Sequence, residues 1–339
     1  MAGERMLAEM SEQPRVLAAI AARRAELVAA VRAVVPRDLS GILLIARGSS
    51  DNAAIFGRYA FELACGRPVA LAAPSLHTVY GARSDYRGYL AIAVSQSGRT
   101  PEIVTLLEAA ARAGAATIAL TNDAASPLAS AAGLAIDLGA GAEVAVPATK
   151  TFTAQVATLA VIAEALGEVP WGDADWAALP GAVSRVLDDT ASADRVAASI
   201  GDARGLITVG RGFLFAIALE AALKLKETAF LLAEGYSAAD LLHGPVAVVQ
   251  HGFPVLAFAG EGPTKTSMVD LVTELRGRGG RVAVVGPADG DLPVPTDLAE
   301  ALATIPAAVR APQVARALTL LRGLDPDAPA GLTKITLTH

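Results

Sequence analysis

YLAIAVSQSGRTPEIVTLLEAAARAG, residues 89–114, carries the reading of the fold. Its first six residues are apolar with no polar alternation, the pattern of a strand covered on both faces. A polar turn follows, Ser95-Gln96-Ser97-Gly98-Arg99-Thr100. From Pro101 the apolar positions recur every three or four residues, as on a helix that buries one side. The same units stand before it, in ILLIA (42–46) and DNAAIFGRYAFELACG (51–66), and a further strand follows in ATIALTN (116–122). Unbroken apolar strands alternating with helices predict an α/β fold, a mostly parallel sheet with helices on both faces.

The order then returns. GLITVGRG (205–212) precedes the helical run FLFAIALEAALKLKETAFLLAEG (213–235), FPVLAFAGEG (253–262) precedes TKTSMVDLVTELRGRG (264–279), and RVAVVGPADG (281–290) supplies a third strand. This is the pattern of a duplicated domain. The expected division is a helical segment over 1–36 that caps the first domain, a first domain over 37–168, a linker over 169–197, a second domain over 198–324 and a tail over 325–339. The linker carries Pro170, Trp171, Trp176 and Pro180. The copies differ at one turn, SQSGRT against GEGPTK, so anion binding is expected in one copy only, within a single composite site.

At 339 residues, 53% of them hydrophobic and 18% charged, the chain reads as a globular enzyme of about two domains. The net charge of −6 and the absence of any run of basic residues argue against nucleic acid as a partner. A lone cysteine, Cys65, excludes an internal disulfide framework and fits a reducing cytoplasm. His77, His243, His251 and His339 have no metal-ligand spacing, so no structural metal is expected. The start, MAGERMLAEMSEQ, is charged and helical, unlike a secretory leader, which makes cytoplasmic the expected location. The longest uncharged stretch, 241–260, contains Pro245, Gln250 and Pro254 and reads as two short strands around a turn, with no membrane partner implied.

Hydroxyls and free amides at a strand-to-helix junction can cradle a phosphate, which singles out Ser95, Gln96, Ser97 and Thr100. ARGSSDNA (46–53) is a second such turn, with Ser49 and Ser50. Each turn is equally an ordinary helix cap. Neither RGSSDNA nor GRGFLFA supplies GxGxxG, and no GxxxxGK[ST] occurs, so no nucleotide cofactor is expected. VPATKTFTAQ (146–155) offers Thr149, Lys150, Thr151 and Thr153 either to sugar hydroxyls or as a capped helix with a solvated lysine. Further on, Glu220, Lys224, Glu227 and Leu231 fall on one helical face. A carboxylate beside a lysine in an apolar helix is a candidate general base; the competing reading is a surface salt bridge worth little. His243 follows in LLHGP, where only a pairing with Glu227 would make it chemically interesting.

Taken together, ARGSSDNA, SQSGRTPE, VPATKTFTAQ, ALEAALKLKE, LLHGP and the tail DPDAPAGLTKITLTH resemble the sugar isomerase (SIS) domain family. Specifically they resemble the isomerase half of glucosamine-6-phosphate synthase, and the chain as a whole resembles stand-alone glucosamine-6-phosphate deaminase/isomerase-like proteins. It implies two tandem flavodoxin-like SIS domains acting on a hexose or amino-hexose 6-phosphate without a cofactor. Carried over by match, Ser50, Ser95, Gln96, Ser97 and Thr100 hold the phosphate, and Ser49, Val146, Ala148 and Glu220 contact the sugar. Glu227 matches the base that moves a proton between C1 and C2, and Lys224 its neighbouring lysine. His243 matches the ring-opening histidine, donated by the partner subunit of a homodimer. Lys334, in the tail that closes the active site, matches a lysine able to form an imine with the ketose.

The departures bear on substrate. The chain opens on MAGER where the synthase has a glutaminase domain, and Ala148 stands where the synthase has a serine. A stand-alone double-SIS chain of this shape resembles amino-sugar phosphate deaminases and fructosamine-6-phosphate deglycases, and Ala148 leaves the identity of the sugar open. The expectation is conversion of glucosamine 6-phosphate to fructose 6-phosphate and ammonia. The alternatives are a deglycase or isomerase for another sugar phosphate, and a noncatalytic phosphosugar-binding regulator.

Overall fold

The computed structural model describes residues 2–334. The helices α1 (Glu4–Ser11), α2 (Gln13–Ala22) and α3 (Arg24–Val34) precede the first sheet. That sheet is built from β1 (Gly41–Ile45), β2 (Val69–Leu71), β3 (Tyr89–Val94), β4 (Ala116–Thr121) and β5 (Leu134–Asp137). Between them run α4 (Ser49–Cys65), α5 (Ser75–Thr78), α6 (Pro101–Arg112) and α7 (Pro127–Ala131), and α8 (Lys150–Leu166) follows. All neighbours are parallel, in the order β2-β1-β3-β4-β5. Leu43, Ile45, Ala91, Ala93 and Ala119 bury one face against Ile103, Leu106 and Leu107 of α6, which is why these strands show no polar alternation.

Next come α9 (Asp173–Asp188) and α10 (Thr190–Ile200). The second sheet repeats the first with β6 (Gly205–Gly210), β7 (Leu232–Ser237), β8 (Pro254–Phe258), β9 (Arg281–Gly286) and β10 (Leu292–Pro293). Its helices are α11 (Phe213–Ala229), α12 (Ala238–Leu242), α13 (Lys265–Gly277) and α14 (Glu300–Leu321). The order from the far edge, β7-β6-β8-β9-β10, is that of the first sheet. The duplication extends to backbone detail: Gly48 before α4 has φ 59 and ψ −134, and Gly212 before α11 has φ 60 and ψ −132. No helix among the described residues is long and apolar enough to cross a membrane.

Four local expectations are corrected. Residues 169–197, read as a linker, fold as α9 and most of α10. Trp176, Leu179, Val183 and Val186 recur at helical spacing and are buried, and Pro180 is accommodated inside α9. The helical run from 213 stops at Ala229, where Phe230 adopts a left-handed conformation (φ 50), and LAEGYS becomes the edge strand β7. The stretch 241–260 holds one strand, β8; the rest is the end of α12 and a 3-10 turn, Pro245–Val248.

The fourth concerns the N-terminus. The compact unit around the second sheet takes in residues up to Ala18, 144–153 and 171–334, whereas 19–143 and 154–170 form the unit of the first sheet. Hydrogen bonds account for the early residues: Met6 N–H donates to Asp327 Oδ1 at 2.8 Å, and Arg316 Nε donates to Gly3 O at 2.9 Å.

Candidate active site

In a parallel sheet of order 2-1-3-4-5, the chain leaves in opposite directions from β1 and β3, and the crevice opens at their C-terminal ends. Ser49 and Ser50 begin the helix after β1, and Ser95–Thr100 form the turn after β3. Five of the sequence-singled hydroxyl and amide residues of the first sheet thus flank one switch point, with Thr100 as the sixth. The N-cap of α4 is Gly48, which has no side chain, and Thr100 at the N-cap of α6 makes no side-chain cap hydrogen bond.

The turn is wound on itself. Ser95 Oγ accepts from Gly98 N–H at 3.2 Å, Ser97 Oγ accepts from Arg99 N–H at 3.3 Å, and Gln96 O accepts from Asn122 N–H at 3.0 Å. Gly98 has φ +61, and a β-carbon there would overlap Ser126 Oγ and lie 2.8 Å from Thr121 Oγ1. Gly98→Ala should therefore cost about 1–3 kcal/mol from backbone strain alone. Urea denaturation checks the stability loss, and a parallel fall in phosphate affinity checks that the turn is the cradle.

Sequence reasoning missed three side chains here. Arg47 pairs through both guanidinium nitrogens with buried Glu102, each at 3.2 Å, and so fixes a positive charge at the switch point. Gln155 Nε2 donates to Ser50 Oγ at 2.9 Å, leaving the hydroxyl proton of Ser50 available to a ligand. Asp51 is pushed up by burial, against the pull of Arg47. The tie of Gln155 to Ser50 spans over 100 positions, and no local pattern announces it.

In the unit of the second sheet, α11 brings Glu220, Lys224 and Glu227 together as their spacing predicts. Lys224 Nζ lies 2.5 Å from Glu227 Oε2 and 3.4 Å from Glu220 Oε1. The surface-bridge alternative fails on burial: the side chains of Lys224 and Glu220 are 1% and 2% exposed, and only Glu227, at 24%, reaches outward. Burial opposes the charge on Lys224, but the two carboxylates more than offset it, so the ammonium titrates above its ordinary range. His243 is exposed at the C-terminal cap of α12, and no hydrogen bond or ion pair joins it to this cluster among the described residues.

The segment holding Val146 and Ala148 is fastened from three directions. The Glu9 carboxylate accepts from Val144 and Ala145 N–H, Val146 N–H donates to Asp327 O at 3.1 Å, and Lys334 Nζ donates to Ala145 O at 2.8 Å. Val146 and Ala148 themselves are half-buried. Lys150 is 1% exposed and paired with Glu12 at 2.9 Å, which replaces the solvated-lysine expectation, and that bond holds the Glu12 carboxyl below its usual range. Thr153 Oγ1 donates to Gln13 Oε1 at 2.9 Å. The N-terminal helices thus supply Glu9, Glu12 and Gln13 to this segment, a role that their sequence does not signal. Among the described residues no group of three or more His, Cys, Asp or Glu could hold a metal ion.

The model of the SIS domain matches residues 38–165 and 199–291, one stretch on each sheet. The chain belongs to the SIS domain family. This SIS chain is 32% identical over 339 residues to glutamine–fructose-6-phosphate aminotransferase (isomerizing) of Methanothermobacter thermautotrophicus, covering 97% of this chain and 56% of that protein. It thus spans about half the length of the curated relatives it matches. Among solved structures, a candidate phosphosugar isomerase from Silicibacter pomeroyi is 37% identical, with a TM-score of 0.81 over 96% of this chain and 100% of the other. Glucosamine-6-phosphate deaminase from Thermotoga maritima has the same fold: its TM-score is 0.78 at 24% identity, over 99% of this chain and 100% of that one.

Proposed function

We propose that this SIS chain is an aldose–ketose isomerase of hexose or amino-hexose 6-phosphates, with glucosamine 6-phosphate as substrate and fructose 6-phosphate and ammonia as products. The observation that carries the proposal is the Lys224–Glu227 pair. A fully buried ammonium fixes a carboxylate whose outer face stays accessible, which is what a proton shuttle needs. The placement of Ser50, Ser95, Gln96, Ser97 and Thr100 at two strand-to-helix turns beside one switch point supports a phosphate cradle.

The chemistry then runs as follows. His243, acting from the partner subunit of a homodimer, assists opening of the pyranose ring. Glu227 takes the C2 proton of the open-chain aldehyde; the C2–H electron pair becomes the C1–C2 double bond, and the C1–O π pair moves onto O1, which takes a proton from water to give an enolamine. Glu227 returns its proton to C1 as the nitrogen lone pair forms the C2–N double bond, and loss of an N–H proton to water leaves the C2 imine. Addition of water at C2 and loss of ammonia yields fructose 6-phosphate. Lys224, committed to two carboxylates, acts through Glu227 as a positioning residue. Lys334, anchored beside the Val146–Ala148 segment, is the candidate for a transient imine with the ketose.

The test is incubation of the protein with glucosamine 6-phosphate, scored for ammonia and fructose 6-phosphate in equal amounts. No turnover, with glutamine or without it, overturns the deaminase reading. Ala148 favours a second substrate panel of fructosamine and galactosamine 6-phosphates, because its half-buried methyl offers no hydroxyl to the sugar. Turnover confined to that panel would make the protein a deglycase or an isomerase of another sugar phosphate.

A further inference from the structure

The repeated turn is occupied in one copy by the chain itself. Thr100 and Thr264 hold the same place, as N-caps of α6 and α13. Gly98 and Gly262, two residues earlier, both have positive φ, +61 and +123. Gly48 and Gly212 share one backbone conformation, as described above. In the second copy Glu300, the first residue of α14, sends its carboxylate into this turn. Thr264 Oγ1 donates to Glu300 Oε1 at 3.2 Å. A β-carbon on Gly262 would stand 2.8 Å from Glu300 Oε2, and one on Gly212 would stand 3.9 Å from Oε1. Three landmarks of the repeat therefore converge on one carboxylate.

The surroundings give that carboxylate little compensation. It lines a small cleft of about 30 Å³ whose other walls include Leu214, Val285, Val294 and Leu298. Burial pushes its carboxyl up, with the Thr264 hydrogen bond opposing. A group so placed is costly for stability, and its location is where a second phosphate would meet the N-terminus of α13.

We propose that Glu300 is a built-in anion that fills the second crevice and bars phosphate from it, so that each chain offers one phosphate site and not two. In the first copy the helix after the last strand begins with a base, Lys150, in place of the acid. The proposal draws on the phosphate reading of the first crevice only for its wild-type count.

Inorganic phosphate is the probe, titrated calorimetrically into the full chain at pH 8. Wild type is expected to bind one phosphate per chain, and Glu300→Ala two. Glu300→Ser, which clears the same space and keeps a polar group at the helix start, should also bind two and serves if the alanine variant fails to fold. A gain of one site over wild type supports the proposal whether the wild-type count is one or none, and a wild-type count of none would separately overturn the phosphate reading of the first crevice. Two sites in wild type, or no gain in a folded variant, overturns the proposal.

Discussion

Glu227→Gln should abolish turnover, lowering kcat by about 10²–10⁴-fold, while phosphosugar binding persists. The substitution keeps shape, and the amide oxygen can still accept from Lys224 Nζ, which lies 2.5 Å from the native carboxylate. What is lost is the capacity to take a proton and give it back. Steady-state kinetics on the sugar phosphate measure the fall, and ligand titration measures the retained affinity. Exchange of the C2 hydrogen with solvent deuterium isolates the step, because it reports proton removal whether or not product leaves. Full activity, or normal exchange, would remove Glu227 from the reaction. The neighbouring Glu220, matched to a sugar contact, has 2% of its side chain exposed and pairs with Lys224, so Glu220→Gln should lower the rate less than Glu227→Gln.

The largest expected loss of stability follows from the same cluster. Lys224→Met removes the single cation that two carboxylates share and strands Glu220 inside an apolar helix face. Breaking a buried pair in this way costs about 3–5 kcal/mol, much more than an exposed pair would. Thermal or urea unfolding should show that loss, and kcat should fall with it because Glu227 loses its anchor. The deficit should shrink on acidification, since a buried carboxylate left without its cation is relieved by a proton. The double variant Lys224→Met with Glu220→Leu should regain most of the stability and none of the rate. If the single variant unfolds at the wild-type denaturant concentration, the cluster is an ordinary surface feature.

How much of this was legible follows from the range of each interaction. Strands β1, β3, β4, β6, β8 and β9, the glycine turns and the duplication were legible because strand–turn–helix patterning is local, and so was the helical spacing that unites Glu220, Lys224 and Glu227; the short edge strands β2, β5 and β10 carry too few residues to show a pattern. Their burial was not, since nothing in ALEAALKLKE distinguishes a solvated face from one packed in the core. Trp171, Trp176 and Pro180 read as linker residues because proline weighs against a helix, yet the burial of Trp176, Leu179 and Val183 outweighs that penalty. The edge strand β7 continues the helical run without a breaker, and Phe230 turns the chain in a conformation its side chain disfavours. The pairs Arg47–Glu102, Gln155–Ser50 and Glu9 with Val144 join residues 55, 105 and 135 positions apart, beyond any sequence pattern.

The bond between Met6 and Asp327 also sets a timetable. During synthesis, a chain growing at roughly 5–20 residues per second has every residue of the first-sheet unit that the structure describes once residue 170 has been made. Gly3, Arg5 and Met6 emerge far earlier than Asp325 and Asp327, which receive their backbone amides. Those amides are held by water until carboxylates made more than 300 residues later reach them, and the unit of the second sheet cannot close until translation has passed Asp327.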